Sequence, residues 1–298
     1  MHIFKTAKSY ARTSLNLSAY SCRRMTNKLR VLPDFLIIGG QRCGTSSLYY
    51  YLTEIPGIAS AFTKEPHFFD ECFGKGPDWY RAQFPSSTRK MYVKNVRKGH
   101  FLTGEGTPYY ILYPHTPKRV LETIPHVKLI ALLRNPVDRA YSQYWIEVKA
   151  GFETWSFEDA VKREQERLAG EFEKMLDDES YYSHGFRHFS YLRRGIYVDQ
   201  LQNWMRYFPR EQLLILRSED LYKDPATVLK RALEFLDVPA QGLNKEYKNY
   251  RRPSKTGYRK KEAPPKMDPE IRKYLLEYFK PHNTRLYDYL GIDYGWDS

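Results

Sequence analysis

Short apolar runs alternate with longer amphipathic segments along most of the chain. The runs have the length of buried strands, and the segments between them have the hydrophobic spacing of helices. Strands are predicted at residues 34–39, 102–105, 127–133 and 212–217. Helices are predicted at 45–53, 114–122, 136–149, 157–168, 197–207, 224–236 and from 268 onward. This alternation predicts an α/β fold in which helices flank a P-loop-like parallel sheet.

No internal repeat or low-complexity linker interrupts the pattern, which favours a single domain at residues 34–298. Before it, residues 1–33 carry seven Lys or Arg residues and no Asp or Glu, and we expect this basic leader to be flexible. Such a leader is typical of a solvated tail, a targeting segment or a peripheral contact with a membrane surface. The longest apolar runs have the length of buried strands rather than of membrane spans.

The composition of the 298 residues, with 42% hydrophobic and 16% aromatic residues, can supply a core and argues against a disordered chain. The net charge of +13 favours anionic ligands such as nucleotides, sulfated glycans, anionic lipid or nucleic acid. Three cysteines without a CxxC pair indicate neither a disulfide framework nor a cysteine-rich zinc site. A reducing, cytoplasmic location is therefore expected.

One glycine-bearing turn joins the strand at 34–39 to the helix at 45–53. Its backbone N–H groups and the positive end of that helix point at one spot, which is typical of a phosphate site. Gly39 and Gly44 have the spacing of a Walker A loop, but Thr45 holds the position of the Walker lysine. The strand at 127–133 is followed by Arg134 instead of a magnesium-binding carboxylate. The loop therefore predicts phosphate binding without a magnesium–triphosphate complex.

Two segments carry a specific family resemblance. Residues 41–47 (Gln-Arg-Cys-Gly-Thr-Ser-Ser) resemble the 5′-phosphosulfate loop of sulfotransferases that use 3′-phosphoadenosine 5′-phosphosulfate (PAPS). Residues 133–144 (Leu-Arg-Asn-Pro-Val-Asp-Arg-Ala-Tyr-Ser-Gln-Tyr) resemble their 3′-phosphate motif. Residues 64–69, 107–110 and 281–297 agree with the family in the same order, and the likeness is greatest to heparan sulfate sulfotransferases and related bacterial enzymes.

The resemblance implies sulfuryl transfer from PAPS to a hydroxyl or amine of a carbohydrate or glycolipid, with no metal required. It assigns the 5′-phosphate cradle to Arg42, Cys43, Gly44, Thr45 and Ser46, and the 3′-phosphate to Arg134 and Ser142. Arg134 ends a strand and Ser142 lies about two turns into the next helix, so both can reach one phosphate. The alternative is a salt-bridge cluster of Arg134 with Asp138 and Arg139.

Position 42 departs from the family, which usually has Lys there. Arg42 keeps its proton and acts as a fixed fork, so it can stabilise charge on the leaving oxygen but is a poor proton donor. The resemblance assigns the general base to Glu65, whose alternative is an exposed carboxylate paired with Lys64. His67 and Glu105 are the competing bases, and we expect His67 to face away from Glu65.

Residues 254–260 resemble the lysine-rich lid that closes over PAPS, which implicates Lys255 as a second catalytic cation and Thr256 in nucleotide binding. A solvated charge run is the alternative. Gly106 is a second departure, because the heparan sulfate branch often has Lys there, so a heparan-type acceptor does not follow. The histidines at 184 and 188 have metal-pair spacing but no apparent third ligand.

The sequence has three alternative functional interpretations. A sulfotransferase with this donor site can also act on a small-molecule alcohol or phenol. A P-loop kinase or NTPase lacks its lysine and strand-end Asp here. A polyanion-binding module would use the leader and the basic stretch at 251–261, but neither a helix-turn-helix nor a zinc pattern supports specific nucleic-acid binding.

Overall fold

The computed structural model describes residues 20–240, 243, 247 and 265–297. Five parallel strands form one sheet in the order β2–β3–β1–β4–β5. The strands are β1 (Phe35–Gly39), β2 (Ile58–Ser60), β3 (Leu102–Gly106), β4 (Lys128–Leu133) and β5 (Leu213–Arg217). The fold is thus a single parallel sheet flanked by helices, as predicted.

Helices connect the strands and cover both faces of the sheet. They are α1 (Thr45–Glu54), α2 (Gly76–Arg81), α3 (Ser87–Met91), α4 (Thr116–Thr123), α5 (Pro136–Ala150), α6 (Phe157–Lys162), α7 (Glu164–Arg167), α8 (Glu171–Asp177), α9 (His184–His188), α10 (Tyr197–Met205), α11 (Ser218–Lys223), α12 (Pro225–Phe235) and α13 (Pro269–Leu290). Short 3-10 turns lie at Asn27–Leu29, Phe73–Lys75, Arg193–Gly195 and Arg210–Gln212, and a π-helical turn, Tyr92–Val96, continues α3. None of the described helices is both long and apolar enough to cross a bilayer.

Strand β1 lies at the centre of the sheet and divides the core in two. Its side chains alternate, so Leu36 and Ile38 join the larger apolar cluster on one face, while Phe35 and Ile37 join the cluster on the other. All five residues of β1 are buried, as expected of a strand covered on both faces. In β3, a Cβ on Gly104 would lie 2.5 Å from the Phe35 ring, so this close packing requires glycine.

Some elements differ from the prediction. The helix predicted at 157–168 is two short helices, α6 and α7, because the chain leaves helical geometry at Arg163. Strand β2 has only three residues, too few to form a recognisable periodic pattern. Lys255, Thr256 and the rest of the predicted lid at 254–260 lie outside the described residues.

The last part of the predicted leader contacts the domain. The Arg23 guanidinium donates hydrogen bonds of 2.6 Å to the carbonyls of Ala82 and Phe84. Val31 and Leu32 pack against the larger core cluster. The described residues of the leader are therefore part of the folded unit, while residues 1–19 lie outside the described range.

Candidate active site

The loop between β1 and α1 has the geometry of an anion site. Gly44 precedes α1 in a left-handed conformation (φ 87°), which is easily adopted only by glycine, and no side chain in the described part of the chain caps the helix. The first N–H groups of a helix have no acceptor within it, so those of α1 remain available at the loop. The predicted cradle residues 42–46 therefore present backbone donors at the positive end of a ten-residue helix.

Arg42, Arg134 and Ser142 lie together beside this loop. Nε of Arg42 donates to Oγ of Ser142 over 3.0 Å, and Nη1 of Arg134 donates to the Arg42 carbonyl over 3.3 Å. After β1 the chain continues toward the β2 edge of the sheet, and after β4 it continues toward the β5 edge. The crevice between β1 and β4 is therefore the topological switch point, where ligands bind in such sheets. The predicted phosphate residues thus gather at that crevice.

The alternative salt-bridge cluster for Arg134 is not formed. Asp138 instead pairs with Arg272 at 2.7 Å. Arg139 is fully buried, and its guanidinium donates to Gln143 and to the Tyr191 carbonyl. Arg134 therefore has no carboxylate competing for it within the described residues.

Tyr197 holds the two phosphate segments together. Its hydroxyl donates to the Arg134 carbonyl over 2.8 Å and lies 3.8 Å from Sγ of Cys43. Burial raises the pKa of the Cys43 thiol to about 11, so the side chain stays neutral and cannot act as a thiolate. Cys43 thus contributes packing and its backbone to the loop.

A buried arginine anchors the other side of the loop. The Arg194 guanidinium donates to the Gln41 side-chain oxygen, to Ser190 and to the carbonyls of Phe186 and Arg187. Arg194 therefore joins the predicted phosphate loop to residues 186–194.

Glu65 lies in a loop beside the end of β3. Nζ of Lys64 donates to Oε1 of Glu65 over 2.6 Å, and the side chain of Glu65 is 27% exposed whereas that of Lys64 is only 5% exposed. The N–H of Gly106, the last residue of β3, donates to the Lys64 carbonyl over 3.2 Å. The pairing with Lys64 thus exists, but in a partly buried site instead of an exposed turn.

His67 lies on the same side as Glu65, so the prediction of opposite faces was wrong. Side chains two positions apart in an extended segment share a face, and Nε2 of His67 is 4.0 Å from Oε2 of Glu65, while His67 itself has a left-handed φ of 53°. Nδ1 of His67 is 2.8 Å from Oδ2 of the buried Asp70. Burial lowers the pKa of His67, but the hydrogen bond and charge of Asp70 outweigh this, so the pKa of His67 is raised.

Arg187 brings a cation from α9 to this cluster. Its Nη2 is 3.4 Å from Nε2 of His67, and its Nη1 is 3.3 Å from a carboxylate oxygen of Glu71. The guanidiniums of Arg187 and Arg194 each lie 4.9 Å from the centre of the Tyr109 ring. A positive charge thus stands next to the Glu65–His67–Asp70 group, although position 106 is glycine.

Glu105 is in a different environment from Glu65. It is fully buried in β3, where the hydroxyls of Tyr80 and Thr107 donate to its carboxyl group over 3.2 and 2.8 Å. Burial raises the pKa of Glu105 to about 8, so the group holds a proton at neutral pH. A closed, protonated carboxyl is not positioned to accept a proton from an acceptor, which argues against Glu105 as the base.

One group of described residues has metal-ligand character. Donor atoms of His67, Asp70 and Glu71 lie within 4.8 Å of one another. Arg187 already contacts His67 and Glu71, and its positive charge opposes the binding of a metal cation there.

His188, one of the two histidines with metal-pair spacing, pairs with the buried carboxylate of Glu147 at 2.8 Å, a partner that the sequence pattern did not reveal.

Comparison with known proteins agrees with this geometry. The family model described as the sulfotransferase domain matches residues 32–284. The chain belongs to this sulfotransferase family.

The sulfotransferase is similar to several known members. It is 28% identical to the membrane-associated sulfotransferase kil1 of Dictyostelium discoideum over 93% of this chain and 69% of the relative. It is 31% identical to human heparan sulfate glucosamine 3-O-sulfotransferase 3A1 over 90% of this chain, and it spans 63% of that relative's length. The crystal structure of a sulfotransferase from Alicyclobacillus acidocaldarius superposes with a TM-score of 0.66 at 27% identity, covering 90% of this chain and all of that one.

Sequence reasoning missed several residues of the site. Asp70 follows His67 by three positions, and this spacing is the one local signal that was available. Arg187 and Arg194 had no such signal, because their contacts with His67 and Gln41 span 120 and 153 residues of sequence.

Proposed function

We propose that this chain transfers a sulfuryl group from PAPS to a hydroxyl or amine of a carbohydrate or glycolipid, with Glu65 as general base. One observation carries the proposal. The phosphate residues follow β1 and β4, the Glu65 loop is hydrogen-bonded to the end of β3, and these three strands are neighbours. Adjacent strands are about 4.8 Å apart, so donor and acceptor groups can meet at one edge of the sheet.

The donor half fits PAPS in its charge and its donors. When bound, PAPS supplies an activated sulfuryl group, whose bond to the phosphate oxygen breaks as the acceptor oxygen or nitrogen bonds to sulfur. The uncapped end of α1 suits the 5′ side, and Arg134 with Ser142 suits the 3′-phosphate. A charge-assisted hydrogen bond of this kind contributes about 1.5–3 kcal/mol.

Arg42 contributes charge beside the nucleotide. Its hydrogen bond to Ser142 places its guanidinium beside the proposed 3′-phosphate residues, Arg134 and Ser142. Its permanent charge can stabilise the departing phosphate oxygen. Lys64, which touches Glu65 and is nearly buried, is a second cation on the acceptor side. Lys255 and Thr256 remain predicted lid residues that close over the nucleotide.

Glu65 is proposed to take the acceptor proton. Its ion pair with Lys64 favours the charged carboxylate that a base requires. His67, oriented by Asp70, lies next to Glu65, with its Nε2 4.0 Å from Oε2 of this carboxylate. A positioned general base contributes about 10²–10⁴-fold to the rate.

A carbohydrate acceptor is supported by the names of relatives that act on heparan sulfate glucosamine. Arg187 supports an acceptor that carries an anionic group, because its guanidinium borders the Glu65–His67 cluster while the side chain remains 23% exposed. It would supply the charge that Lys at position 106 supplies in the heparan sulfate branch. A cytoplasmic location and membrane contact through the leader remain predictions.

The proposal is tested by donor binding and transfer with the same protein. Immobilised adenosine 3′,5′-bisphosphate should retain the wild type, and Arg134→Ala should weaken this binding by about 10- to 150-fold. Radiolabelled PAPS is then offered with anionic glycans, neutral glycans, glycolipids, small alcohols and phenols. We expect label in a glycan or glycolipid, with anionic acceptors preferred.

Other outcomes identify the alternatives. Label in the alcohols or phenols alone would assign a small-molecule acceptor. Magnesium-dependent ATP turnover without sulfuryl transfer would identify a kinase or NTPase. Salt-dependent DNA binding that survives Arg134→Ala, without transfer, would identify a polyanion-binding module.

A further inference from the structure

An exposed surface at the amino end of the sheet, opposite the candidate active site, combines apolar and basic side chains. We call it the basic–apolar surface and define it as residues 20–30 and 87–100. Five of its large apolar side chains face solvent: Met25 (86% exposed), Leu29 (60%), Met91 (54%), Tyr92 (53%) and Val96 (66%). Large exposed apolar groups that lie close together mark interaction sites more often than scattered ones do.

The two segments of this surface are joined directly. Oγ of Ser87, the first residue of α3, donates to the Leu29 carbonyl over 3.0 Å. Arg30 and Ser86 form an antiparallel bridge next to this bond. Met91 lies one turn beyond Ser87, so the two segments that carry the exposed apolar residues are in contact at this junction.

The charge of the surface has a single sign. Residues 20–30 and 87–100 contain nine Lys or Arg residues and no Asp or Glu. Arg23 and Arg30 bind backbone carbonyls, and Lys90 pairs with Asp34 at 3.5 Å. The other six are exposed and form no ion pair with the described part of the chain: Arg24, Lys28, Arg89, Lys94, Arg97 and Lys98. These six cations, which form no ion pair within the described residues, are thus concentrated on this surface.

A cavity beside the surface has room for an anionic headgroup. Its volume is about 500 Å³, and Lys94, Lys98 and His100 line it. The two acids that also line it have partners already, since Asp34 accepts from the Thr103 N–H and Asp237 pairs with Lys128. Lys94 and Lys98 are therefore the charged groups of the cavity that form no ion pair within the described residues.

We infer that the basic–apolar surface docks on a bilayer that contains anionic phospholipids. A polyanion such as DNA or a sulfated glycan needs the cations but not five exposed apolar side chains. A bilayer uses both, because apolar side chains enter the boundary between headgroups and acyl chains while Lys and Arg contact the anionic headgroups. The combination thus favours lipid.

The position of the surface sets the orientation of the protein. Residues 87–100 lead into Leu102, the first residue of β3, so the surface lies at the amino end of the sheet. Arg42 and Arg134 follow the carboxyl ends of β1 and β4. The candidate active site therefore faces away from the membrane, toward water. In sequence, residues 1–19 precede this surface and add three Lys or Arg residues and no acid.

Sedimentation of the full chain with vesicles tests the inference. Vesicles are pure phosphatidylcholine or a 70:30 mixture of phosphatidylcholine and phosphatidylserine. The wild type should bind the mixed vesicles and leave the neutral ones. K94E/R97E/K98E should lower the partition coefficient by at least about 100-fold, since each basic residue near an anionic surface contributes about fivefold. M91S/V96S should lower it by about tenfold with the charge unchanged.

A matched variant controls for net charge. K118E/R206E/K273E reverses three exposed cations on α4, after α10 and on α13, and should keep vesicle binding within about threefold of the wild type. Binding of adenosine 3′,5′-bisphosphate verifies that every variant is folded. The inference is overturned if the wild type ignores mixed vesicles, if the control loses as much binding as K94E/R97E/K98E, or if M91S/V96S binds normally. Loss of heparin or DNA binding in the charge variant together with normal vesicle binding in M91S/V96S would assign the surface to a polyanion instead.

Discussion

The phosphate side and the acid–base side of the candidate site are built differently. Arg42 and Arg134 follow the carboxyl ends of β1 and β4, and Ser142 lies within the regular helix α5. The Glu65–His67–Asp70 group sits in an irregular loop with a left-handed residue, and Arg187 reaches it from a helix of five residues.

This difference teaches which half of the site is general and which is particular to this chain. Strand ends and first-turn amides have positions that the parallel sheet imposes, so they suit the constant part of the reaction, the nucleotide. The acid–base side depends on side chains from unrelated segments, so it can change with the acceptor. The presence of Arg187 beside His67, in a chain with glycine at position 106, is an example of such a change.

The substitution Glu65→Gln should separate the two sides with the largest effect. The amide keeps the shape of the side chain but accepts no proton, so turnover should fall by about 10²–10⁴-fold. The affinity for adenosine 3′,5′-bisphosphate should stay within about twofold of the wild type, because the phosphate residues are untouched. Single-turnover transfer and calorimetric binding measure the two effects, and normal turnover would remove Glu65 from the role of base.

Arg187→Ala should affect the acceptor and leave the nucleotide unaffected. Loss of the charge should raise the KM for an anionic acceptor about tenfold, whereas Arg187→Lys should restore most of it. The charge of Arg187 lowers the pKa of His67, so its removal should raise the pKa of His67 further. NMR titration of His67 measures this shift. An unchanged KM in Arg187→Ala would show that the arginine only supports the loop.

On the phosphate side, Ser142→Ala should have a smaller effect. One hydrogen-bonding group is lost, so the affinity for adenosine 3′,5′-bisphosphate should fall by about 2- to 10-fold. Turnover at saturating PAPS should be unchanged, because the Ser142 hydroxyl bonds to Arg42 and not to the Glu65–His67–Asp70 group. A fall in the maximal rate at unchanged affinity would contradict the division of the site into two sides.

Glu105→Gln should have the smallest effect on turnover and a distinct effect on stability. The pKa of Glu105 is raised from 4.5 to about 8, so the folded protein holds a proton that the unfolded chain releases in this range. The stability that Glu105 contributes is fully present below pH 4.5 and is lost as the pH rises toward 8, by up to about 1.4 kcal/mol per pH unit. Glutamine does not titrate, so the stability of the variant should depend less on pH.

Urea unfolding of both proteins from pH 5 to pH 8 measures this difference. Parallel stability curves would mean that Glu105 is ionised in the folded protein. Strongly reduced turnover in Glu105→Gln, with Glu65→Gln active, would exchange the roles of the two carboxylates.

The sequence was a good guide where structure follows from local pattern. Three of the five strands, β1, β4 and β5, are apolar runs long enough to recognise, whereas β3 has a single large apolar residue and β2 has only three residues. The grouping of Arg42 with Arg134 was predictable, because the carboxyl ends of neighbouring parallel strands meet at one edge. The approach of Arg187 to His67 was not, because the two residues are 120 positions apart in the sequence.

The sequence by itself determined the α/β alternation and the family, and it predicts the residues of the phosphate loop, since each depends on neighbouring positions. Only the tertiary structure decided that Glu105 is enclosed while Glu65 remains accessible, and that Arg187, 120 residues from His67, is the cation beside it. The physical reason is that periodicity and turn chemistry act over a few residues. Burial of a carboxyl group and the approach of a guanidinium depend on how distant elements pack.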